Sequence, residues 1–440
     1  MAPLAPGLRR GYALGGIATG TYGTVPGLLL MPYLTEVVGI QAAVAGLVVF
    51  LPKAWDFVLN PLAGRVSDRS TNPRGRRRPI IARAGVVMAA GFVAIFAGPT
   101  APAGVATAWV VVAFLAAATA YAFFQVPYLA MSAEITEDYA ERTRLMMWRV
   151  VVISGAIMVA GATAPLLVEA RGGAQGYRIM AVVMGVLILA GTWGLWHGTR
   201  GATLTRHEAT SGTLREQLGV VVRSPHARTL LTAFVLQAVA MTMVLAGISY
   251  TARHVMGDPA VATYAFVAFV APAIVVSPLW EKFGLRWGKK AGFATTSVVL
   301  VLGLLTLVAA RGGSLAVLLT GSAVVGVGYA GSQLFPLAML PDLAAFDAAE
   351  SGQNRIGLLT GTWSAFELLG FALGPAVYGV VLTLGGYVSG ADDQSASAQL
   401  AILAGISVVP AALVLLSLVA LSRYRLDRLL REEGAERALR

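Results

Sequence analysis

The chain has 440 residues, of which 57% are hydrophobic and 12% are charged, and its mean hydropathy is +0.73. This composition excludes a soluble globule with a polar exterior and predicts an integral membrane protein. Cysteine is absent, which excludes disulfide frameworks, thiolate nucleophiles and cysteine-ligated metal or haem sites. The net charge of +11 would suit nucleic-acid binding only if the basic residues formed a surface stripe, but they alternate with apolar segments.

Twelve apolar segments have roughly the 20 residues that a helix needs to cross a bilayer. The expected spans are 12–34, 41–64, 79–98, 104–131, 145–168, 177–197, 229–252, 261–280, 291–310, 315–341, 355–386 and 400–422. The sequence therefore predicts an all-α membrane protein. We expect an N-terminal six-helix bundle at 1–197, a cytoplasmic linker at 198–228, a C-terminal six-helix bundle at 229–422 and a charged cytoplasmic tail at 423–440.

The distribution of Lys and Arg predicts the orientation of the chain. The loops that join each even-numbered span to the next odd-numbered span lie on the same side as both termini. That side holds 27 of the 33 Lys and Arg residues. The excess marks the cytoplasmic side, so we expect both termini in the cytoplasm of a cell that carries the protein in its inner or plasma membrane. The arginine run at 74–78 is either only a topological signal or also part of a gate.

The second span carries three polar residues on one face. Lys53, Asp56 and Asn60 are three and four residues apart, so they point the same way on a helix. Charged groups inside a membrane usually face the bundle interior or a water-filled cavity. With Lys53 and Arg149 nearby, Asp56 could exchange a proton, or the three charges could form a static cluster that only fixes helix packing.

The two halves contain similar short motifs. Asn60-Pro61-Leu62 matches Ser277-Pro278-Leu279, and a cationic loop follows each motif, closing on Gly75-Arg76-Arg77-Arg78 or Gly288-Lys289-Lys290. Leu129-Ala130-Met131 with Glu134 matches Leu337-Ala338-Met339 with Asp342. Two such matches with similar offsets predict two parallel six-helix repeats.

The loop after the second span resembles that of the major facilitator superfamily through Gly64, Asp68 and Arg69 followed by Gly75-Arg76-Arg77-Arg78. Within that superfamily, the chain resembles the glycoside-pentoside-hexuronide:cation symporters, the melibiose-carrier group. The matching motifs are Trp55-Asp56 with Asn60-Pro61, Val126-Pro127-Tyr128 with Glu134 and Asp138, and Glu141-Arg142-Thr143-Arg144.

The resemblance implies alternating access of two six-helix bundles around a central cavity, with a coupling cation on the second span. The family has two acids there, which fall on Asp56 and Asn60, so one acid is replaced by an amide. Na⁺ needs several hard oxygen ligands, whereas one carboxyl group can carry a proton, so we favour H⁺. Gln125 stands where the melibiose carrier has a sugar-binding acid, and Leu368 stands where it has a lysine.

Polar and aromatic residues inside the spans are candidates for solute contacts, although each could equally be an interhelical hydrogen bond or an ordinary packing residue. The substrate-binding candidates are Gln125, Tyr128, Tyr22, Gln333, Trp363 and Glu367. Glycine recurs in the first and tenth spans and allows helices to approach closely and to slide, which suits either a moving bundle or ordinary tight packing. The positions are 15, 16, 20, 23 and 27 in the first span, and 321, 326, 328 and 331 in the tenth.

The resemblance also implies ion pairs that hold the cytoplasmic side closed, and the alternative is solvated surface pairs that contribute little. The gate candidates are Asp68, Arg69, Arg76, Glu134, Arg142 and Asp342. We expect the carboxylates to pair with the arginines at 69, 142, 144 and 355.

The sequence does not indicate an enzyme. The four histidines lack metal-ligand spacing, and neither a P-loop nor a nucleophile-base pair occurs. We therefore expect no enzyme, metal or cofactor, but a monomeric transporter in the lipid bilayer that moves a small-molecule solute and binds no nucleic acid. The first hypothesis is H⁺-coupled symport of a glycoside or sugar-like solute. The alternatives are transport of a lysolipid or other amphiphile, and a membrane sensor that transports nothing.

Overall fold

The computed structural model describes residues 4–70, 77–136, 138–202, 224–351, 356–424 and 426. Over these ranges the chain is helical and contains no strand. The predicted all-α class is confirmed for the described part of the chain. Arg76 and Arg355, and most of the linker and tail, lie outside it.

Six long helices make up the N-terminal half. They are α1 (Pro6–Pro32), α2 (Ala42–Arg69), α3 (Arg78–Ala97), α4 (Ala103–Ile135), α5 (Tyr139–Glu169) and α6 (Gly173–Gly198). A short π-helix, Tyr33–Val37, continues α1. The Asp138 carboxylate caps α5 by accepting a hydrogen bond from the Glu141 backbone N–H at 2.9 Å. Each helix contains the central part of the span predicted for it.

In the described part of the C-terminal half, seven α-helices form six spans, and a short 3-10 helix, Leu307–Gly312, follows the third of them. They are α7 (Pro225–His254), α8 (Val261–Trp287), α9 (Lys289–Thr306), α10 (Leu315–Ser351), α11 (Ile356–Leu384), α12 (Ala396–Ile406) and α13 (Val408–Ser422). At Gly288, φ is +94°, and this turn joins α8 to α9.

The last span is not the single helix that the sequence predicted. It breaks at Ser407, whose backbone has φ −127° and ψ −78°. The Ser407 hydroxyl donates to the Leu403 carbonyl, and Pro410 has no N–H to donate to the preceding turn. These two local effects end α12 and start α13.

The first helix lacks the long apolar stretch that the other described spans contain. Among the described residues, eleven spans are long and apolar enough to cross a membrane, with α12 and α13 counted together, and α1 is not one of them. Glycine and threonine lower its hydropathy, yet nearly all of its residues from Gly11 to Pro32 are buried. Because its neighbours are protein helices, α1 does not need the apolar surface that lipid requires.

The chain divides into two compact units, Met1–Thr210 with Val388–Asp392, and Ser211–Tyr387 with Asp393–Arg440. In the first unit, α1 packs against α5 and α6, α3 against α4 and α6, and α2 against α4. In the second unit, α7 packs against α11 and α13, α9 against α10 and α13, and α8 against α10. The same packing order occurs in both units, as an internal duplication requires.

Candidate functional site

The polar face of α2 is centred on a buried acid. Asp56 is 7% exposed, and its Oδ1 has no hydrogen-bond partner. Lys53 and Asn60, one turn away on either side, are half-buried. Among the described side chains, no ion pair within 4.0 Å joins Asp56 to Lys53 or to Arg149. Asp56 thus makes no direct ion pair with either cation, although the charges of Lys53 and Asp56 interact electrostatically.

Two tyrosines from neighbouring helices lie beside Asp56. The Tyr22 ring of α1 stacks on the Tyr121 ring of α4, with centroids 4.6 Å apart and an interplanar angle of 20°. The Tyr22 hydroxyl is buried without a hydrogen-bond partner. The Asp56 charge interacts electrostatically with both tyrosines. Helices α1, α2 and α4 thus meet at one polar position inside the first unit.

Gln125 lies one turn after Tyr121 on α4. Its Oε1 accepts a hydrogen bond from Thr19 Oγ1 of α1 at 3.0 Å. Thr19 lies one turn before Tyr22, so the two polar residues of α1 face the two polar residues of α4. Sequence reasoning had not considered Thr19 or Tyr121, although their i, i+3 and i, i+4 spacing from Tyr22 and Gln125 could have identified them.

Tyr128 occupies a packed position. It is fully buried, its hydroxyl donates to the Tyr12 carbonyl at 2.8 Å, and the Tyr12 hydroxyl donates to the Tyr128 carbonyl at 3.2 Å. The Arg149 guanidinium lies 5.1 Å from the centre of the Tyr128 ring, a cation–π contact. These contacts give Tyr128 a role in packing α1 against α4 and give Arg149 an aromatic neighbour. Contact of Tyr128 with a solute and a role of Arg149 in proton coupling stay predictions.

The second unit brings together two of its three predicted solute residues around Tyr329. Gln333 Nε2 donates to the Tyr329 hydroxyl at 2.7 Å, and the Glu367 charge interacts electrostatically with Tyr329. Trp363 is 4% exposed and packs against Phe234, with ring centroids 4.4 Å apart. The Trp363 indole N–H has no hydrogen-bond partner among the described residues.

One buried arginine connects the ends of α2, α3 and α4. Arg77 Nη2 lies 2.6 Å from Asp68 Oδ1, and Arg77 Nε lies 2.7 Å from Glu134 Oε1. Arg77 Nη1 also donates to Ser67 Oγ at 3.2 Å. With an exposed fraction of 3%, Arg77 is the charged centre of this cluster. Here we call Asp68, Arg77 and Glu134 the arginine cluster.

The described arginines that the sequence predicted as partners, Arg69, Arg142 and Arg144, form no ion pair with Asp68 or Glu134. Arg69 is exposed, and Arg142 Nη2 donates to the Thr136 carbonyl at 3.1 Å instead of pairing with an acid. Arg144 lies 2.9 Å from Glu141 on its own helix, not from Glu134. Arg77, the residue immediately before α3, is instead the one that pairs with Asp68 and Glu134.

The second unit contains the corresponding pair. Lys289 Nζ lies 2.6 Å from Asp342 Oδ2 and donates to the Ala338 carbonyl at 2.9 Å. Lys289 begins α9 as Arg77 precedes α3, and Asp342 matches Glu134 in the repeated motif. The pair is more exposed than the arginine cluster, at 38% for Lys289 and 34% for Asp342. Arg355, which the sequence also predicted beside these carboxylates, lies outside the described residues.

The sequence matches a known protein family along almost the whole chain. The model of the family described as "MFS/sugar transport protein" matches residues 11–428. The chain belongs to this family. The family resemblance and the fold predicted from the sequence, an all-α membrane protein with two parallel six-helix repeats, are confirmed. This MFS protein is therefore a multi-pass membrane transporter of a small-molecule solute, and not an enzyme.

Individual relatives of this MFS protein are distant but span most of its length. The isoprimeverose transporter of Lactiplantibacillus pentosus is 26% identical over 96% of this chain and 89% of its own. The sodium-dependent lysophosphatidylcholine symporter 1-A of Danio rerio is 22% identical over 96% of this chain and 86% of its own. A solved structure of a proton dependent oligopeptide transporter has a TM-score of 0.71 at 15% identity. It covers 96% of this chain and 99% of its own, and this likeness concerns the fold alone.

Proposed function

We propose that this MFS protein carries a glycoside or other sugar-like solute together with H⁺ by alternating access. The family match and the similarity to an isoprimeverose transporter support a sugar-like solute. The observation that carries the coupling proposal is the buried Asp56 carboxyl, whose Oδ1 has no hydrogen-bond partner. An unpartnered buried carboxylate is costly in free energy, so binding and releasing a proton there changes the stability of the site.

H⁺ is proposed over Na⁺ because of the ligands on α2. A Na⁺ site needs several hard oxygen ligands. Asp56 is the only acid on a face that otherwise offers the Asn60 amide and the Lys53 ammonium. One carboxyl group is sufficient for a proton.

Each unit, considered by itself, contains polar groups that we propose as solute contacts. In the first unit they are Tyr22 and Tyr121, which lie within electrostatic range of Asp56, and Gln125, one turn after Tyr121. In the second unit they are Gln333 and Glu367 near Tyr329. Hydroxyl, amide and carboxyl groups are suited to the many hydroxyls of a sugar-like molecule. Tyr128 and Trp363 would support these contacts through packing within their own units.

The charged contacts at the helix ends are proposed to stabilise one closed state of the transporter. Each contact lies within one unit, Arg77 with Asp68 and Glu134 in the first and Lys289 with Asp342 in the second, so each would hold the helix ends of its own unit together in that state. The buried arginine cluster is expected to contribute more than the half-exposed lysine pair, because water screens the latter. We further propose a monomer in the cell membrane with both termini in the cytoplasm, as the distribution of Lys and Arg indicates.

The coupling proposal is tested with purified protein in liposomes under an imposed pH gradient, inside alkaline. Labelled isoprimeverose and other glycosides are screened for accumulation, and the active solute is then used with Asp56→Asn. We expect this variant to lose gradient-driven accumulation but to retain exchange of labelled for unlabelled solute. The control is Asp393→Asn, which makes the same chemical change at an exposed position. Undiminished accumulation by Asp56→Asn would reject the role of this carboxyl.

A second candidate solute is a lysolipid, because a lysophosphatidylcholine symporter is among the relatives. The same liposomes are tested with labelled lysophosphatidylcholine under separate H⁺ and Na⁺ gradients. Movement of this lipid with no uptake of any glycoside would replace the sugar proposal. A response to Na⁺ alone would replace the H⁺ proposal for either solute.

A further inference from the structure

Two arginines of the first unit share one tryptophan at the ends of α3 and α6. Arg78 Nη2 donates to the Trp196 carbonyl at 2.6 Å, and its Cζ lies 6.0 Å from the centre of the Trp196 ring. Arg200 Cζ lies 4.3 Å from the same centre. The Trp193 ring lies 5.2 Å from that of Trp196 and is 62% exposed. We call these four residues the double-arginine patch.

The positive charge of this patch is not neutralised by the part of the chain that the structure describes. No described Asp or Glu forms an ion pair with Arg78 or Arg200, and Arg78 Nε is buried without a hydrogen-bond partner. The two guanidinium groups are close enough to repel each other electrostatically. A buried donor without a partner and two unneutralised cations together favour binding of an anion.

The second unit shows which part of this arrangement is needed for the fold. Lys290, which corresponds to Arg78, donates to the carbonyls of Ser422 and Tyr424 at the end of the last span. One cation on a backbone carbonyl is therefore sufficient to join the third helix of a unit to its last. Among the described residues of the second unit, no pair of cations shares an indole ring. Arg200 and the pair Trp193 and Trp196 are thus not needed for the contact between the third helix and the last.

We propose that the double-arginine patch binds the phosphate of an anionic phospholipid headgroup. Guanidinium groups bind phosphate oxygens through paired N–H donors, and tryptophan is typical of the membrane interface. Basic residues where membrane spans end attract anionic lipids. A lipid is favoured over a soluble anion because Trp193, whose ring packs against the Trp196 ring that both arginines approach, exposes most of its surface on α6, a membrane-spanning helix.

The test uses the full-length protein and native mass spectrometry with phosphatidylglycerol and phosphatidylcholine. We expect the wild type to retain phosphatidylglycerol preferentially and Arg200→Gln to retain it about five-fold less well, the effect expected for one cation at an anionic membrane surface. Arg423→Gln is the matched control, since Arg423 is an exposed arginine that follows the last span as Arg200 follows α6. It is expected to bind like the wild type.

Several results would overturn the proposal. They are equal retention of the two lipids by the wild type, equal losses in both arginine variants, and displacement of phosphatidylglycerol by millimolar inorganic phosphate. The last result would assign the site to a soluble anion. If Arg200→Gln does not remain monodisperse, Trp193→Leu provides the second test. It leaves both cations in place and is also expected to lower phosphatidylglycerol retention, whereas unchanged retention would count against the proposal.

Discussion

At the scale of single residues, two buried tyrosines differ in their neighbours. Tyr22 and Tyr378 both have hydroxyls without a hydrogen-bond partner. Tyr22 interacts electrostatically with Asp56. Tyr378 instead packs against Gly247 and Gly405, where helices approach closely. A buried hydroxyl without a partner is destabilising. At Tyr22, a bound solute could supply the missing partner.

We predict that Tyr22→Phe and Tyr378→Phe both raise the free energy of unfolding by about 1 kcal/mol, because each removes an unpartnered buried hydroxyl. Only Tyr22→Phe should raise the KM for transport, by about two- to ten-fold, as expected for one lost neutral hydrogen bond. Thermal unfolding and initial rates of uptake measure the two effects. An unchanged KM for Tyr22→Phe would remove this residue from the proposed solute site.

The arginine cluster is the second feature at this scale. Arg77→Gln removes the ion pairs that Arg77 makes with Asp68 and Glu134, and breaking a buried ion pair costs about 3–5 kcal/mol. We expect a correspondingly large fall in thermal stability. Lys289→Gln should cost less than about 1 kcal/mol, because its ion pair with Asp342 is partly exposed.

Arg69→Gln is the control for this experiment, since Arg69 is exposed. We expect its effect to stay within about 0.5 kcal/mol. Equal stability of Arg69→Gln and Arg77→Gln would contradict the assignment of Arg77 as the centre of the cluster.

At the scale of helices, the contact between α1 and α5 depends on glycine at specific positions. A Cβ at Gly20 would lie 2.9 Å from both the Ile153 carbonyl oxygen and Ala156 Cβ, so a side chain there would separate the helices. At Gly23, three residues later, a Cβ would meet nothing within 4 Å. The same glycine-rich segment therefore contains one essential position and one permissive position.

We expect Gly20→Ala to destabilise the protein by about 1–3 kcal/mol, because overpacking displaces the helix backbone. Gly23→Ala should be neutral or stabilising by up to about 1 kcal/mol, since alanine has the higher helix propensity. Thermal unfolding of both variants in one detergent checks the difference. Equal effects would show that helix propensity, and not the contact with α5, determines the cost.

At the scale of the whole molecule, the proposed orientation can be tested directly because the chain contains no cysteine. Gly201 follows α6, and Arg171 lies between α5 and α6, so the two positions are at opposite ends of α6. We therefore compare the variants Gly201→Cys and Arg171→Cys. In intact cells, a membrane-impermeant maleimide should label only Arg171→Cys. Gly201→Cys should react only after the cells are permeabilised. The reverse pattern would place the termini outside the cell.

The amino-acid sequence by itself determined the membrane class, the central part of each span, the duplication and the family. These features depend on composition, on the length of apolar segments and on motifs, all of which are local in the chain. Sequence motifs also identified Asp56, Gln125 and Glu134 as candidates, because polar residues are rare inside apolar helices.

Only the tertiary structure decided the partners of those residues. It joined Arg77 to Asp68 and Glu134, placed Tyr121 beside Tyr22, and left Asp56 without an ion pair within 4.0 Å to Lys53 or Arg149 among the described residues. It also broke the last span at Ser407. Which side chains become partners depends on the rotation and approach of helices that are distant in the chain. The packing of whole helix surfaces sets this geometry, and the local spacing of residues does not.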